Sequence, residues 1–427
     1  MDFDTRAPIA PAAAASFSRS RAYAWTVFAL VAALMVSDYV VRQVINAIFP
    51  FLKSEWALSD AQLGSFSGIV ALVVGLMAFP VSLLADRWGY VRSVTAMAMV
   101  WGVATILCGL AGSFAAMLAT RALIGFGEAG YGSVGAAILT RVFPPRLHAT
   151  VVGAFLAFAL FGSVLGVVLG GLIAQSLGWR TAFFLVGAGG LALAVLFPMV
   201  VKEPEPASDA GAHERARPSD LVRELFRFRT VNMTYVASGL SMFMQGAIIA
   251  WAPSYIHRFY GFDPAQSALL AGGLVLIAGG GMALGGAVVD RASVSSRVNR
   301  LRLPAAYALA SSACLFAGFW MAPGMAQVAL VAFGVLLGAG FAGPSSAVCA
   351  DVTPPAMRAT VFGALTLANN LIGLAPGPFV TGALADAVGL DVAMRILPCT
   401  SVVAAAFFLG ASPCYEADRG HRVEGAE

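Results

Sequence analysis

Stretches of about 20 apolar residues follow one another along nearly the whole chain, separated by short turns that carry most of the charges. A run of that length crosses the hydrocarbon core of a bilayer as an α-helix, and only helices or closed barrels satisfy their backbone groups there. The sequence therefore predicts an all-α membrane protein. Composition agrees, since 11% of the residues are charged where soluble domains carry roughly 25%.

Splitting the runs at charged or Pro/Gly turns predicts twelve spans, at 24–48, 61–83, 93–111, 115–139, 150–174, 181–201, 230–255, 265–288, 303–322, 326–349, 359–385 and 391–411. The long polar stretch from Lys202 to Arg229 is rich in Pro, Glu, Asp and Arg and reads as a linker between two six-helix bundles. The expected organisation is a tail over 1–22, a bundle over 23–201, the linker over 202–229, a second bundle over 230–411 and a tail over 412–427. The first apolar segment, Tyr23 to Ile48, is too long for a signal-peptide core and has no small-residue cleavage site after it, so it reads as a retained span.

Orientation follows from Lys and Arg. Of the 26, 20 fall in the tails, the linker and the loops on the side of the termini; Lys53, Arg180, Arg258 and Arg395 lie on the other side, and Arg42 and Arg121 lie within spans. This bias predicts both termini in the cytoplasm of a multi-pass protein of the inner (plasma) membrane. It also accounts for the net charge of +4 without a nucleic-acid partner. The five cysteines show no CxxC spacing, so neither a disulfide framework nor a metal site is expected, and no cofactor. The run GFGEAG after Ile124 lies inside a span and not after a strand, which excludes a phosphate loop. No nucleophile and base constellation points to an enzyme.

The two halves repeat. Pro144-Pro145, Ala149-Thr150 and Gly153 recur 210 residues later as Pro354-Pro355, Ala359-Thr360 and Gly363, and Asp86-Arg87 recurs as Asp290-Arg291. Parallel six-span repeats suit a transporter that rocks two halves about a midplane site.

Charges within the spans are few: Asp38 and Arg42 on the first, Arg121 and Glu128 on the fourth. Intramembrane ionisable groups are costly and default to a functional reading. Arg121 and Glu128 are seven residues apart, about two turns, so they share a helix face and read as an intramembrane charge pair. At 1.5 Å per residue both arginines fall roughly 8–9 Å from the midplane and both acids within about 3 Å of it. If the first and fourth spans face one cavity, the four groups form a layered cluster. Glu128 is the expected proton carrier, with Asp38 as a second carrier or as partner to Arg42. The arginines are expected to bind a carboxylate or phosphate, which a guanidinium fork fits. From the second half, Gln245, Trp251, Tyr255, Ser345 and the Asn369-Asn370 pair are the expected polar contributors, Asn370 foremost because hydrocarbon cannot satisfy its amide.

The loop SLLADRWGYVRS from Ser82 to Ser93 resembles the signature G-x-x-x-D-R-x-G-x-x-R of the major facilitator superfamily, with Ser82 in place of the first glycine. The second copy keeps Gly286, Asp290 and Arg291. Asp86, Arg87, Asp290 and Arg291 are accordingly the expected gating residues, each aspartate facing a helix N-terminus of the other half. The run from Arg121 to Ala129 and the following PP, AT and G segment are similar to spinster-like transporters and anion:cation symporters. Those families carry an Asp-Arg pair after a tyrosine on the first span; here Tyr39-Val40-Val41-Arg42 keeps the arginine and places Val41 where the acid belongs, leaving Asp38 as the candidate substitute. Gly153, Gly162, Gly166, Gly170 and Gly171 fall on the antiporter signature's glycines, with Val167 replacing its proline; close helix packing explains such spacing equally well.

The resemblance implies a major facilitator fold of two pseudo-symmetric six-helix bundles, a monomer in the lipid bilayer, working by alternating access. Its partners would be a small-molecule substrate and the proton. The substrate class expected is an organic anion or an amphiphile. Proton-driven export of hydrophobic compounds, or a ligand sensor without turnover, are the readings left open beside it.

Overall fold

The structure is a computed structural model that describes residues 21–203, 227–353 and 357–424, without the side chains of Asp86, Ala359 and residues 420–424. The expected N-terminal tail, most of the linker and Pro354-Pro355 lie outside the described residues. Twelve helices are long and apolar enough to cross a membrane. Numbered as spans 1 to 12, they are Arg21–Trp56, Asp60–Ala85, Tyr90–Leu110, Phe114–Val142, Pro145–Leu177 and Trp179–Val200, then Arg229–Tyr260, Pro264–Ser293, Asn299–Trp320, Met325–Val352, Thr360–Val388 and Leu390–Arg419. No strand occurs among the described residues. Most spans outrun their predicted limits because polar first and last turns continue the helix past the apolar run; the final helix extends from Cys399 to Glu424.

Local chemistry explains the turns. Ser59 and Gln62 form a capping box at the start of span 2, and Asp263 caps span 8, with Pro264 at its first position. Single glycines connect spans 5 to 6 and 11 to 12, Gly178 at φ 86° and Gly389 at φ 90°, conformations that a β-carbon disfavours. Spans run antiparallel to their chain neighbours, so the turns after spans 1, 5, 7 and 11 gather at one end. We term it distal and the end where span 1 begins proximal.

Three interior features depart from uniform helix. Span 4 breaks into Phe114–Glu128 and Tyr131–Val142 at Gly130, φ 86°, and span 10 breaks likewise into Met325–Gly338 and Ala342–Val352. Span 11 contains a π-helical stretch, Asn369–Leu374. Such widened turns cluster at functional positions.

Without a hydrophobic drive between helices in lipid, close approach supplies the packing energy. A β-carbon on Gly162 would lie 2.6 Å from the Val36 carbonyl oxygen, and one on Gly166 2.7 Å from that of Val40, so span 5 seats directly on the backbone of span 1. Gly171 instead meets Ala268 of span 8, and Gly153 faces open space. Large apolar side chains such as Phe79, Phe126, Leu177 and Phe333 are exposed, a surface suited to hydrocarbon and not to water.

Candidate functional site

Asp38 and Arg42 stand one turn apart on span 1, and Glu128 is the last residue before the break in span 4. The break brings Glu128 to span 1: its Oε2 lies 3.0 Å from Arg42 Nε. Arg42 Nη2 lies 3.9 Å from Asp38 Oδ1. Both acids are buried, at 3% and 2% exposure, whereas the Arg42 side chain keeps 18% and lies 5.1 Å from the Tyr39 ring centroid. The two carboxyl groups are also within interaction distance of each other. The Arg42 contacts are ion pairs without aligned hydrogen bonds, since Arg42 Nε, Asp38 Oδ1 and both Glu128 oxygens lack an aligned partner. One guanidinium thus serves two buried carboxyl groups and is the most exposed member of the trio.

The expected pairing of Arg121 with Glu128 is corrected by the structure. Arg121 is fully buried, and its guanidinium donates to three backbone carbonyls: Phe66 of span 2 at 3.0 Å, Val41 at 2.9 Å and Arg42 at 3.1 Å, the last two on span 1. The rigid fork that suits a carboxylate suits convergent carbonyls as well. Arg121 therefore fixes the backbone that carries Arg42 and offers no free face to a ligand.

The second half supplies neutral groups. Gln245 Nε2 donates to the Val335 carbonyl at 3.1 Å, and Asn370 Nδ2, at the start of the π-helical stretch, donates to that of Thr366 at 2.9 Å. Gln245 Oε1, Asn370 Oδ1 and Ser345 Oγ are buried without a hydrogen-bond partner. Trp251 and Tyr255 each have protein partners of their own. Trp251 is fully buried against Phe49 of span 1, with centroids 5.3 Å apart, and its Nε1 donates to the Pro378 carbonyl at 2.9 Å; it is a wedge between the halves. Tyr255 accepts from Gln327 Nε2 at 3.1 Å and packs against Phe259 with its ring tilted by 39°. It lines an apolar cavity of about 270 Å³ between spans 7, 8 and 10, with Ile248, Leu270, Val328 and Val331.

Of the expected gating residues, the Asp86 side chain lies outside the described residues. Arg87 and Arg291 are exposed. Asp290 is exposed as well, with Arg300 of its own half as a charged neighbour.

The distal closure was absent from the sequence expectations. The Asp60 carboxylate receives Arg258 through two contacts of 2.7 and 2.8 Å and Lys53 at 2.5 Å. The Asp386 carboxylate accepts from the backbone N–H of Asp60 at 2.7 Å and of Ala61 at 2.8 Å. The Ser59 and Gln62 capping box was the available signal, since it marks Asp60 as the first residue of a helix. A polar chain also leads from the site toward that end: Asn46 Nδ2 donates to Gln43 Oε1, and Ser67 Oγ donates to Asn46 Oδ1, both at 2.6 Å.

Comparison with known proteins gives a consistent picture. The family model described as Major Facilitator Superfamily matches residues 31–378. An MFS-type efflux pump of Mycolicibacterium smegmatis is 26% identical over 402 residues, covering 92% of each chain. A probable sulfoacetate transporter of Cupriavidus necator is 30% identical over 297 residues, 66% of each. Among solved structures, a bacterial homologue of the human lysosomal transporter spinster, inward-facing and unoccupied, superposes with a TM-score of 0.85 at 23% identity over 94% of this chain and 99% of its own.

Proposed function

The chain belongs to the major facilitator superfamily, and on that footing we propose that it is a secondary transporter that couples movement of a small organic anion to protons by alternating access. The observation that carries the reading is Arg42, partly exposed and held between Glu128 and Asp38. A lone guanidinium cannot neutralise two buried carboxylates, and an uncompensated buried charge costs several kcal/mol. A proton on one of the two acids balances the trio.

An arriving carboxylate or sulfonate competes for the Arg42 fork. As Arg42 turns to the anion, Glu128 loses its counter-charge and takes up a proton; when the anion leaves, Arg42 returns and the proton is released. Substrate and proton are thereby bound in the same state, which is symport. The unpartnered oxygens of Gln245 and Asn370 receive hydroxyl or amide donors on the body of the substrate. Arg121 holds the backbone of span 1 in place, and both termini lie in the cytoplasm of the plasma membrane.

The relatives differ in what their names say they move, one exporting and another carrying sulfoacetate. The apolar cavity beside Tyr255 favours a second reading, in which the anion carries a hydrocarbon body. Uptake into proteoliposomes separates the possibilities: short carboxylates and sulfonates should be accumulated under an acid-outside gradient. Glu128→Gln should retain anion exchange and lose the response to that gradient; gradient-driven uptake that persists unchanged in this variant overturns proton coupling through Glu128. Saturable uptake of lysolipids but not of short anions would select the second reading.

A further inference from the structure

The halves also meet at the distal end through groups remote from the anion site, and we propose that these form an asymmetric latch whose charged side holds the distal mouth shut and whose neutral side parts first.

The repeat places a helix start and a side-chain acceptor on each side of the mouth. On one side, the Asp386 carboxylate of span 11 accepts from the backbone N–H groups of Asp60 and Ala61, at the start of span 2. On the other, Gln175 Oε1 of span 5 accepts from Ala265 N–H at 2.8 Å, at the start of span 8. Ala61 and Ala265 are 204 residues apart, the spacing of the Asp86 and Asp290 copies, and Asp386 lies 211 residues after Gln175, one more than the spacing of the PP segments. The two contacts are pseudo-symmetry equivalents.

They differ in charge. A carboxylate at a helix N-terminus meets the positive end of the helix dipole and makes charge-assisted hydrogen bonds, roughly twice as strong as neutral ones. The amide of Gln175 makes one neutral bond. The charged side is reinforced by Asp60, buried at 3% exposure, which bridges span 2 to Arg258 of span 7 at 2.7 and 2.8 Å. Beneath it, a β-carbon on Gly382 of span 11 would lie 2.9 Å from the Trp251 ring, and Trp251 in turn abuts Phe49. Lys53 and Arg258 balance Asp60 and Asp386, so the charged side carries no net charge. Separation of the halves costs least at the contact between Gln175 and Ala265. The spans 5 and 8 side is therefore where the distal mouth begins to open, while spans 2 and 11 stay joined as the pivot.

Backbone N–H groups at a helix start have no partner within the helix. Their hydrogen exchange at Asp60, Ala61 and Ala265 therefore reports the latch alone, and substitutions at 386 and 175 are remote in sequence from the amides that are read. Hydrogen exchange resolved to single residues by mass spectrometry on the full chain in lipid nanodiscs should show the Asp60 and Ala61 amides better protected than that of Ala265, the amides of 62, 63, 266 and 267 being held by their own caps. Asp386→Asn should speed exchange at Asp60 and Ala61 by about twofold to fivefold, the range of a helix-terminus charge contact. Gln175→Glu should slow exchange at Ala265 by a similar factor. Melting temperatures of both variants establish that the fold is retained, and Arg258→Gln offers a second route to the same loss of protection at Asp60 and Ala61. Unchanged protection at Asp60 and Ala61 in both Asp386→Asn and Arg258→Gln overturns the latch, and equal protection of the two sides in the unmodified chain overturns its asymmetry. Exchange is read without substrate, so these outcomes are independent of the proton-coupled reading.

Discussion

The two halves share a backbone and diverge in charge. Both inner helices break at the same place, span 4 at Ala129-Gly130 and span 10 at Ala339-Gly340, 210 residues apart. At that spacing Glu128 corresponds to Gly338 and Arg121 to Val331. Where the first half has a carboxylate facing Arg42, the second has a glycine whose missing side chain leaves room for the Gln245 amide: a β-carbon there would lie 2.9 Å from Gln245 Nε2. Where the first half fills the space between spans 1, 2 and 4 with a guanidinium bound to three carbonyls, Val331 lines an apolar cavity. The break and the helix arrangement need no ions, because the second half makes them from neutral residues. On the proposed function, the charges placed at depth against their desolvation cost serve the coupling chemistry, and Arg121 holds the backbone of that site in place.

That contrast can be broken by substitution. The largest effect is expected from Arg42→Gln, which leaves Glu128 and Asp38 without a cation; initial uptake rates in proteoliposomes should fall by about 100-fold or more, while Arg42→Lys retains part of the rate through its point charge. Wild-type uptake in Arg42→Gln would mean that the halves differ in charge for structural reasons alone. Arg121→Met should instead act on stability. It removes three charge-assisted hydrogen bonds from a closed space, for a loss of about 2–4 kcal/mol read as a lowered melting temperature. A matching loss is not expected for Val331→Ala, which enlarges a cavity already present and should cost about 1 kcal/mol. Gly338→Ala places a β-carbon 2.7 Å from Met244 Cε and Ser311 Oγ; both neighbours are side chains that can shift, so the overpacking should cost about 1 kcal/mol. The smallest effect belongs to Gln245→Leu, which removes one bond to Val335 together with an unpartnered oxygen and should change stability by less than about 1 kcal/mol. A selective loss of affinity in that variant, measured by counterflow, would sharpen the comparison by showing the neutral half in contact with substrate.

Much of the fold was legible in the sequence. Twelve apolar runs, the repeat spacings of 204 and 210 and the polar linker specify two six-helix bundles, because bilayer thickness fixes helix length and a polar backbone leaves no alternative to helix. The four intramembrane charges were legible too, since they stand out against apolar neighbours. Their pairing was not. Seven residues between Arg121 and Glu128 determines that both leave the helix on one face, but the break before Gly130 and the position of span 1 decide what each meets. The π-helical stretch at Asn369 and the seat of Trp251 between spans 1 and 11 likewise arise from contacts between helices.

The distal network shows the same division. Asp60, Arg258 and Asp386 are separated by 198 and 128 residues, and each alone reads as a charge at a span end that water can reach. Only the packing of span 2 on span 11 and of span 1 on span 7 brings a carboxylate to an open helix start and a guanidinium to a buried acid. What the sequence by itself determined is the set of helices, their repeat and the residues that carry charge in lipid, because these depend on local hydrophobicity and period. The tertiary structure decided which arginine answers which acid, because electrostatic partners are chosen by distances of 3 to 4 Å between helices, and no spacing along one helix contains that distance.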